Sequence, residues 1–316
     1  MRRVTIPVDA FAQLARVAAP GRDGRLYLTP EDCRMLAARC AVTDWDTEGP
    51  ARIVGAFLGT LPRWPVGDLR RIAVATLALA FPDTAPDIEL PPSIRSLYAP
   101  AFRQLARHLA AADDYDDEAF AKDVRFVLGL SAPAGAQDVD LAWRRDLAGR
   151  MGRIRRAGAG VARLALAADA AGLSTFTQAG PVRPWLQIHT DSRRLEDFHP
   201  EGWDQCYRRI ADLLALHPEY AGMVGLSWFY DPAVAAVTPR LGYLQDRPMD
   251  NGAVRIRMGA KPVDVERATR TSGTRRALYR AGLYRPRCWA IYWPREALIG
   301  WAGRTGGKVA RLRSAA

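Results

Sequence analysis

A histidine that could act as a base near neutral pH closes one short apolar run, and a carboxylate that could orient it and an arginine that could hold an anion follow. The run is Trp185 to His189, and Asp191, Ser192 and Arg193 come directly after it. In this reading His189 is the general base, Asp191 or Asp231 fixes its tautomer, and Arg193 grips a carboxylate or phosphate with two parallel N–H bonds. Two further runs end in comparable residues: Tyr230 and Asp231 follow Gly222 to Phe229, and Lys261 and Asp264 follow Ala253 to Met258. If the three runs are parallel strands, their carboxyl ends share one edge of a sheet, the place where open α/β sheets bind ligands. The competing reading is structural, because strand ends collect polar residues to cap the backbone. Asp231, directly before Pro232, has the form of a helix N-cap.

Metal chemistry is not expected. Glu196 and His199 stand in an E-x-x-H relation, but only one copy exists and Pro200 follows it. His108 and His217 have no partners at ligand spacing, and Cys33, Cys40, Cys206 and Cys288 form no CxxC pair. The cysteines are expected to be reduced and mostly buried.

Two segments carry phosphate-type signals. Arg155-Arg156-Ala157-Gly158-Ala159-Gly160 has the Arg-x-x-Gly-x-Gly form, and the stretch from Ser272 through Arg275, Arg276, Tyr279 and Gly282 to Tyr284 leads into the run Arg287 to Trp293. The first resembles the pyrophosphate loop of GNAT-type acyltransferases, and the second resembles the closing helix and strand of that family. Ser272 stands where the family has Asn, and Gly282 comes one residue early. The resemblance implies acyl transfer from a CoA ester to an amine, with Tyr279 protonating the departing thiolate. Arg193, Lys261, Arg275 and Arg276 are then the candidates for holding the cofactor's phosphates.

The elements that must position these residues follow from composition and period. The chain has 316 residues, 49% apolar and 25% charged, which excludes a disordered, collagenous or small disulfide-stapled protein. Lys+Arg total 45 against 34 Asp+Glu, a net charge of +11. Residues 1–150 carry 19 basic and 20 acidic side chains, so the remaining 26 and 14 give the second part +12. An anionic partner is therefore expected for that part, whether a small phosphate-bearing molecule or nucleic acid.

The first part reads as helices, at Thr29 to Cys40, Asp68 to Ala80, Ile94 to Ala111 and Asp117 to Leu128. From Leu141 to Ile154, Trp143, Leu147, Met151 and Ile154 form one apolar stripe with arginines on the other faces. This Arg-rich segment, 144–156, could bind nucleic acid or, through Trp143, form a homodimer contact. Beyond Pro184 strands alternate with helices at Pro200 to Leu216, Val263 to Ala281 and Pro294 to Ala302. The expected fold is α/β: a helical N-terminal part followed by an alternating strand-helix layer with a mostly parallel or mixed sheet. The expected domains are 1–180, helical; 181–302, α/β; and 303–316, a flexible basic tail. The longest apolar run, Ile72 to Phe81, is too short to span a bilayer, so a cytoplasmic protein without a membrane partner is expected.

Overall fold

A computed structural model describes residues 4–18, 28–42, 49–61, 66–111, 115–141, 185–190 and 195–313. The chain divides into two compact units, one formed by Met1–Pro133 with Asp140–Ala142 and the other by Ala134–Val139 with Trp143–Ala316. The expected domain boundary between residues 180 and 181 lies outside the described residues, as do Trp143 and the Arg-rich segment 144–156.

The first unit is helical. Its helices are Val8–Val17, Pro30–Val42, Gly49–Leu58, Val66–Thr84, Pro92–Arg95, Tyr98–Ala111 and Asp117–Val127, followed by the short strand β1 (Ser131–Pro133). Local chemistry sets the starts. Thr29 and Asp32 bond reciprocally, Thr29 N–H to the Asp32 carboxylate at 2.8 Å and Asp32 N–H to the Thr29 hydroxyl at 3.2 Å. The acidic run before Phe120 ends in Asp116, which accepts the Ala119 N–H at 2.7 Å and caps the last helix. Phe81, Tyr98, Phe102 and Phe126 pack ring against ring inside, with centroids 4.9 to 6.4 Å apart.

The second unit is built on a mixed sheet. Its strands β2 (Gln137–Asp140, of which the last residue, Asp140, is counted with the first unit), β3 (Trp185–Thr190), β4 (Gly222–Ser227), β5 (Val254–Gly259) and β6 (Cys288–Pro294) lie in the spatial order β2-β3-β4-β6-β5. Of the two sheet readings offered by the sequence, the mixed one holds. Among the described residues of this unit only β3 and β4 are parallel neighbours, because β2 pairs antiparallel with β3 and β6 pairs antiparallel with both β4 and β5. The Pro200–Leu216 helix makes the crossover that a parallel pair requires. Trp203, Tyr207, Ile210 and Leu214, spaced four, three and four apart along one face, are buried. Tyr207 meets the rings of Trp293 and Trp301 at 5.2 and 6.1 Å.

Three helices differ from expectation, the first being Ile94 to Ala111, which is two helices, Pro92–Arg95 and Tyr98–Ala111. The segment read as one helix over 263–281 is two, Pro262–Arg270 and Gly273–Arg280. Ser272 is the reason, because its hydroxyl accepts the Arg275 N–H at 3.3 Å and starts a new helix there. The final helix, expected to stop at Ala302, extends over Arg295–Arg313.

Candidate functional site

β4 is parallel to β3, and two antiparallel steps through β6 leave β5 running the same way. The carboxyl ends of β3, β4 and β5 therefore share one edge with the start of β6. That edge holds His189, Tyr230 with Asp231, and Lys261 with Asp264, so the topology collects the residues that the sequence singles out. Their chemistry there is mostly structural.

His189 is partly buried and stands directly across from Asp138 of β2. Sequence reasoning missed Asp138, because a four-residue strand gives almost no periodic signal. The available cue was the alternation Gln137-Asp138-Val139-Asp140 after Gly135. Asp191 and Arg193 lie outside the described residues.

Tyr230 is only 1% exposed. Its ring lies against Gly225, where an added Cβ would come 2.6 Å from the Tyr230 hydroxyl oxygen. Burial pushes the phenol well above its ordinary range, which makes it a fixed neutral group. Gly225→Ala should overpack this contact and lower the unfolding free energy by about 1–3 kcal/mol, measured by denaturant titration. An unchanged midpoint would contradict the packing described.

Asp231, 4% exposed, has both carboxylate oxygens engaged by backbone. Oδ1 accepts the Ala233 N–H and Oδ2 accepts the Arg287 N–H, each at 3.1 Å. The first bond caps the Pro232–Val237 helix, and the second ties the chain entering β6 to the end of β4. Gln245, unremarked in the sequence, extends the tie. Its amide donates to the carbonyls of Phe229 and Asp231 at 2.9 and 2.7 Å, and its oxygen accepts from Arg255 at 2.7 Å. Arg255 in turn lies over the Trp289 ring at 5.6 Å.

Arg275, expected to hold a phosphate, faces inward. It is 3% exposed, donates through Nε to the Ala268 carbonyl at 2.6 Å and stacks over Trp228 at 4.5 Å. Arg276 is exposed and donates to the Arg270 carbonyl at 3.2 Å. Lys261 is exposed too, while its backbone N–H is held by Asp264 at 3.0 Å. Tyr279 is 42% exposed.

The remaining candidates are accounted for by local structure. His199 caps the Pro200–Leu216 helix, accepting the Gly202 N–H at 3.3 Å, while Glu196 sits in a separate turn, Leu195–Asp197. Burial pushes the thiols of Cys33, Cys40 and Cys288 up to about 11 and that of Cys206 up to about 12. Thiols held so high are poor nucleophiles at neutral pH. Among the described residues, no group of three or more His, Cys, Asp or Glu side chains could hold a metal ion, and no helix is long and apolar enough to cross a membrane. A cleft of about 390 Å³ lies in the helical unit, lined by Gln13, Arg16, Asp68 and Arg71 among others, and contains none of the candidate residues.

Comparison of the chain with family models, curated proteins and solved structures finds no match. The likeness of residues 272–293 to acyltransferases therefore rests on those residues alone.

One feature of this edge is not absorbed by packing. Residues 255–287 contain ten basic side chains and two acidic ones, Asp264 and Glu266. Eight of the ten are exposed, all but Arg255 and Arg275. Both acids are engaged on their own helix, Asp264 with the Lys261 N–H and Glu266 with Arg270 at 3.8 Å. The end of β5, the two short helices and the segment leading into β6 thus present a strongly cationic surface.

Proposed function

We propose that the second unit binds a phosphate-bearing anion on the surface formed by residues 257–287. The observation that carries this is the exposure of eight cations there with only two acids among them. A general arginine habit of the chain does not account for it: the overall ratio is 45 basic to 34 acidic, whereas this stretch has nine to two. Seven of the eight exposed cations are arginines, whose planar forks match phosphate oxygens better than lysine does. Like charges held together raise the local potential, and an anion relieves their repulsion.

The reading stops at binding. Tyr230 is buried, and Asp231 and Arg275 are committed to backbone carbonyls and N–H groups, so none of the three is placed to act on a ligand. Acyl transfer keeps one supporting observation, the exposure of Tyr279 beside Arg276 and Arg280. In that reading the anion is a CoA ester.

Thermal unfolding of the full chain at low salt, with inorganic polyphosphate and with CoA as separate probes, tests the proposal. Saturation by a bound anion should raise the melting temperature by about 5 °C. The doubly reversed variant Arg280→Glu, Arg285→Glu should melt as the wild type does when unliganded and lose the shift. Absence of a shift with either probe would overturn the reading.

A further inference from the structure

We infer that the ligand of this surface is single-stranded nucleic acid, held by the Gly273–Arg280 helix and the extended segment that follows it. The inference rests on the anion-binding reading above and adds the identity of the anion.

Three observations lead to it. First, Arg276, Tyr279 and Arg280 stand at positions i, i+3 and i+4, which share one face of a helix, and all three are exposed. An aromatic ring between two guanidinium groups offers a stacking plane together with phosphate contacts.

Second, the helix ends in a turn that holds an apolar side chain out of the core. Gly282, at φ 73°, donates to the Tyr279 carbonyl at 3.0 Å, and Leu283 N–H reaches the Leu278 carbonyl at 2.9 Å. In such a Schellman turn the residue at the Leu283 position commonly packs back on the helix. Here it is 75% exposed.

Third, exposure alternates over the next residues: Leu283, Arg285 and Arg287 face solvent while Tyr284 and Pro286 are buried. An extended chain of this kind sets Arg285 and Arg287 about 7 Å apart on one side. Asp231 anchors that ladder through the Arg287 N–H.

The choice among polyanions follows from the same residues. A duplex keeps its base faces stacked away from an exposed tyrosine, whereas a single strand offers them. An anionic membrane calls for a broad apolar face rich in Leu, Phe or Trp. In this stretch the exposed large apolar side chains are Val263, Tyr279 and Leu283.

Fluorescence anisotropy with a labelled dT oligomer of about 20 nucleotides, its duplex, inorganic polyphosphate as competitor and phosphatidylserine-containing vesicles gives the test. The single strand should bind more tightly than the duplex, with affinity falling steeply between about 50 and 200 mM salt. Tyr279→Ala should weaken binding about tenfold with the salt slope unchanged, and Tyr279→Phe should restore it. Arg285→Ala and Arg287→Ala should each lower the slope by about 0.7. Circular dichroism checks that these exposed substitutions leave the fold intact. If polyphosphate competes fully and Tyr279→Ala binds as the wild type does, the nucleic-acid inference falls while anion binding stands. Equal duplex binding, or binding to vesicles alone, also overturns it. Failure of both oligomer and polyphosphate to bind removes both readings.

Discussion

Replacing Arg125 by methionine should cost the helical unit about 3–5 kcal/mol of stability. Arg125 lies on the Asp117–Val127 helix and forms an ion pair with Asp140, with side-chain exposures of 6% and 0%. Both residues belong to the first unit, so the pair closes that unit on itself. The size of the effect comes from what remains after the substitution. Removing the cation leaves the buried Asp140 carboxylate without its ion-pair partner where water cannot take the cation's place, and that is costly. The double replacement Arg125→Met, Asp140→Leu removes the stranded charge along with its partner. It should recover most of the loss, because well-packed apolar side chains often replace buried ion pairs at little cost. Denaturant unfolding of the wild type, both single variants and the double variant forms the cycle. Additive losses would show that the two groups are not coupled.

The same pair shows where the sequence stops being readable. Arginine and aspartate are written alike whether they face water or core, and only the partner's position decides. Arg275 and Arg276 are neighbours in a basic helix with opposite fates, one stacked on Trp228 and the other exposed. Their periodic setting was legible, and the identity of the inward face was not. Signals within one element fared better. The Thr29–Asp32 cap, the stripe on the Pro200–Leu216 helix and the cap before Pro232 are all local in sequence, and each is present. Strand direction is not local: β6 was legible as a strand, but a reversal against both neighbours depends on how the intervening helices return the chain. The candidate edge survived that reversal because β3, β4 and β5 still point one way. The cationic surface was visible only as a surplus of the second part, since counting cannot separate exposed from buried arginines.

Asp231 is the residue for which the chemical and structural readings diverge most, and Asp231→Ala separates them. A catalytic carboxylate, once removed, leaves a stable and inactive protein. The observed contacts require a different outcome. Loss of Oδ1 uncaps the Pro232–Val237 helix, about 0.5–2 kcal/mol. Loss of Oδ2 leaves the partly buried Arg287 N–H without its acceptor, about 1–3 kcal/mol more. The combined expectation is about 2–4 kcal/mol, since the two bonds share one side chain and do not add fully. Asp231→Asn should fall between the wild type and Asp231→Ala. Its amide oxygen can still cap the helix, but its NH₂ then faces the Arg287 N–H, donor against donor. Because Arg287 N–H fixes the strand start from which Arg285 and Arg287 project, the same substitutions should also weaken binding to an anionic probe at temperatures where the protein remains folded. Denaturant midpoints indistinguishable from the wild type for Asp231→Ala would sink the structural account and return Asp231 to its expected role of orienting His189. A graded loss from Asp to Asn to Ala, in stability and in binding together, identifies a carboxylate whose work is to hold the cationic edge in place.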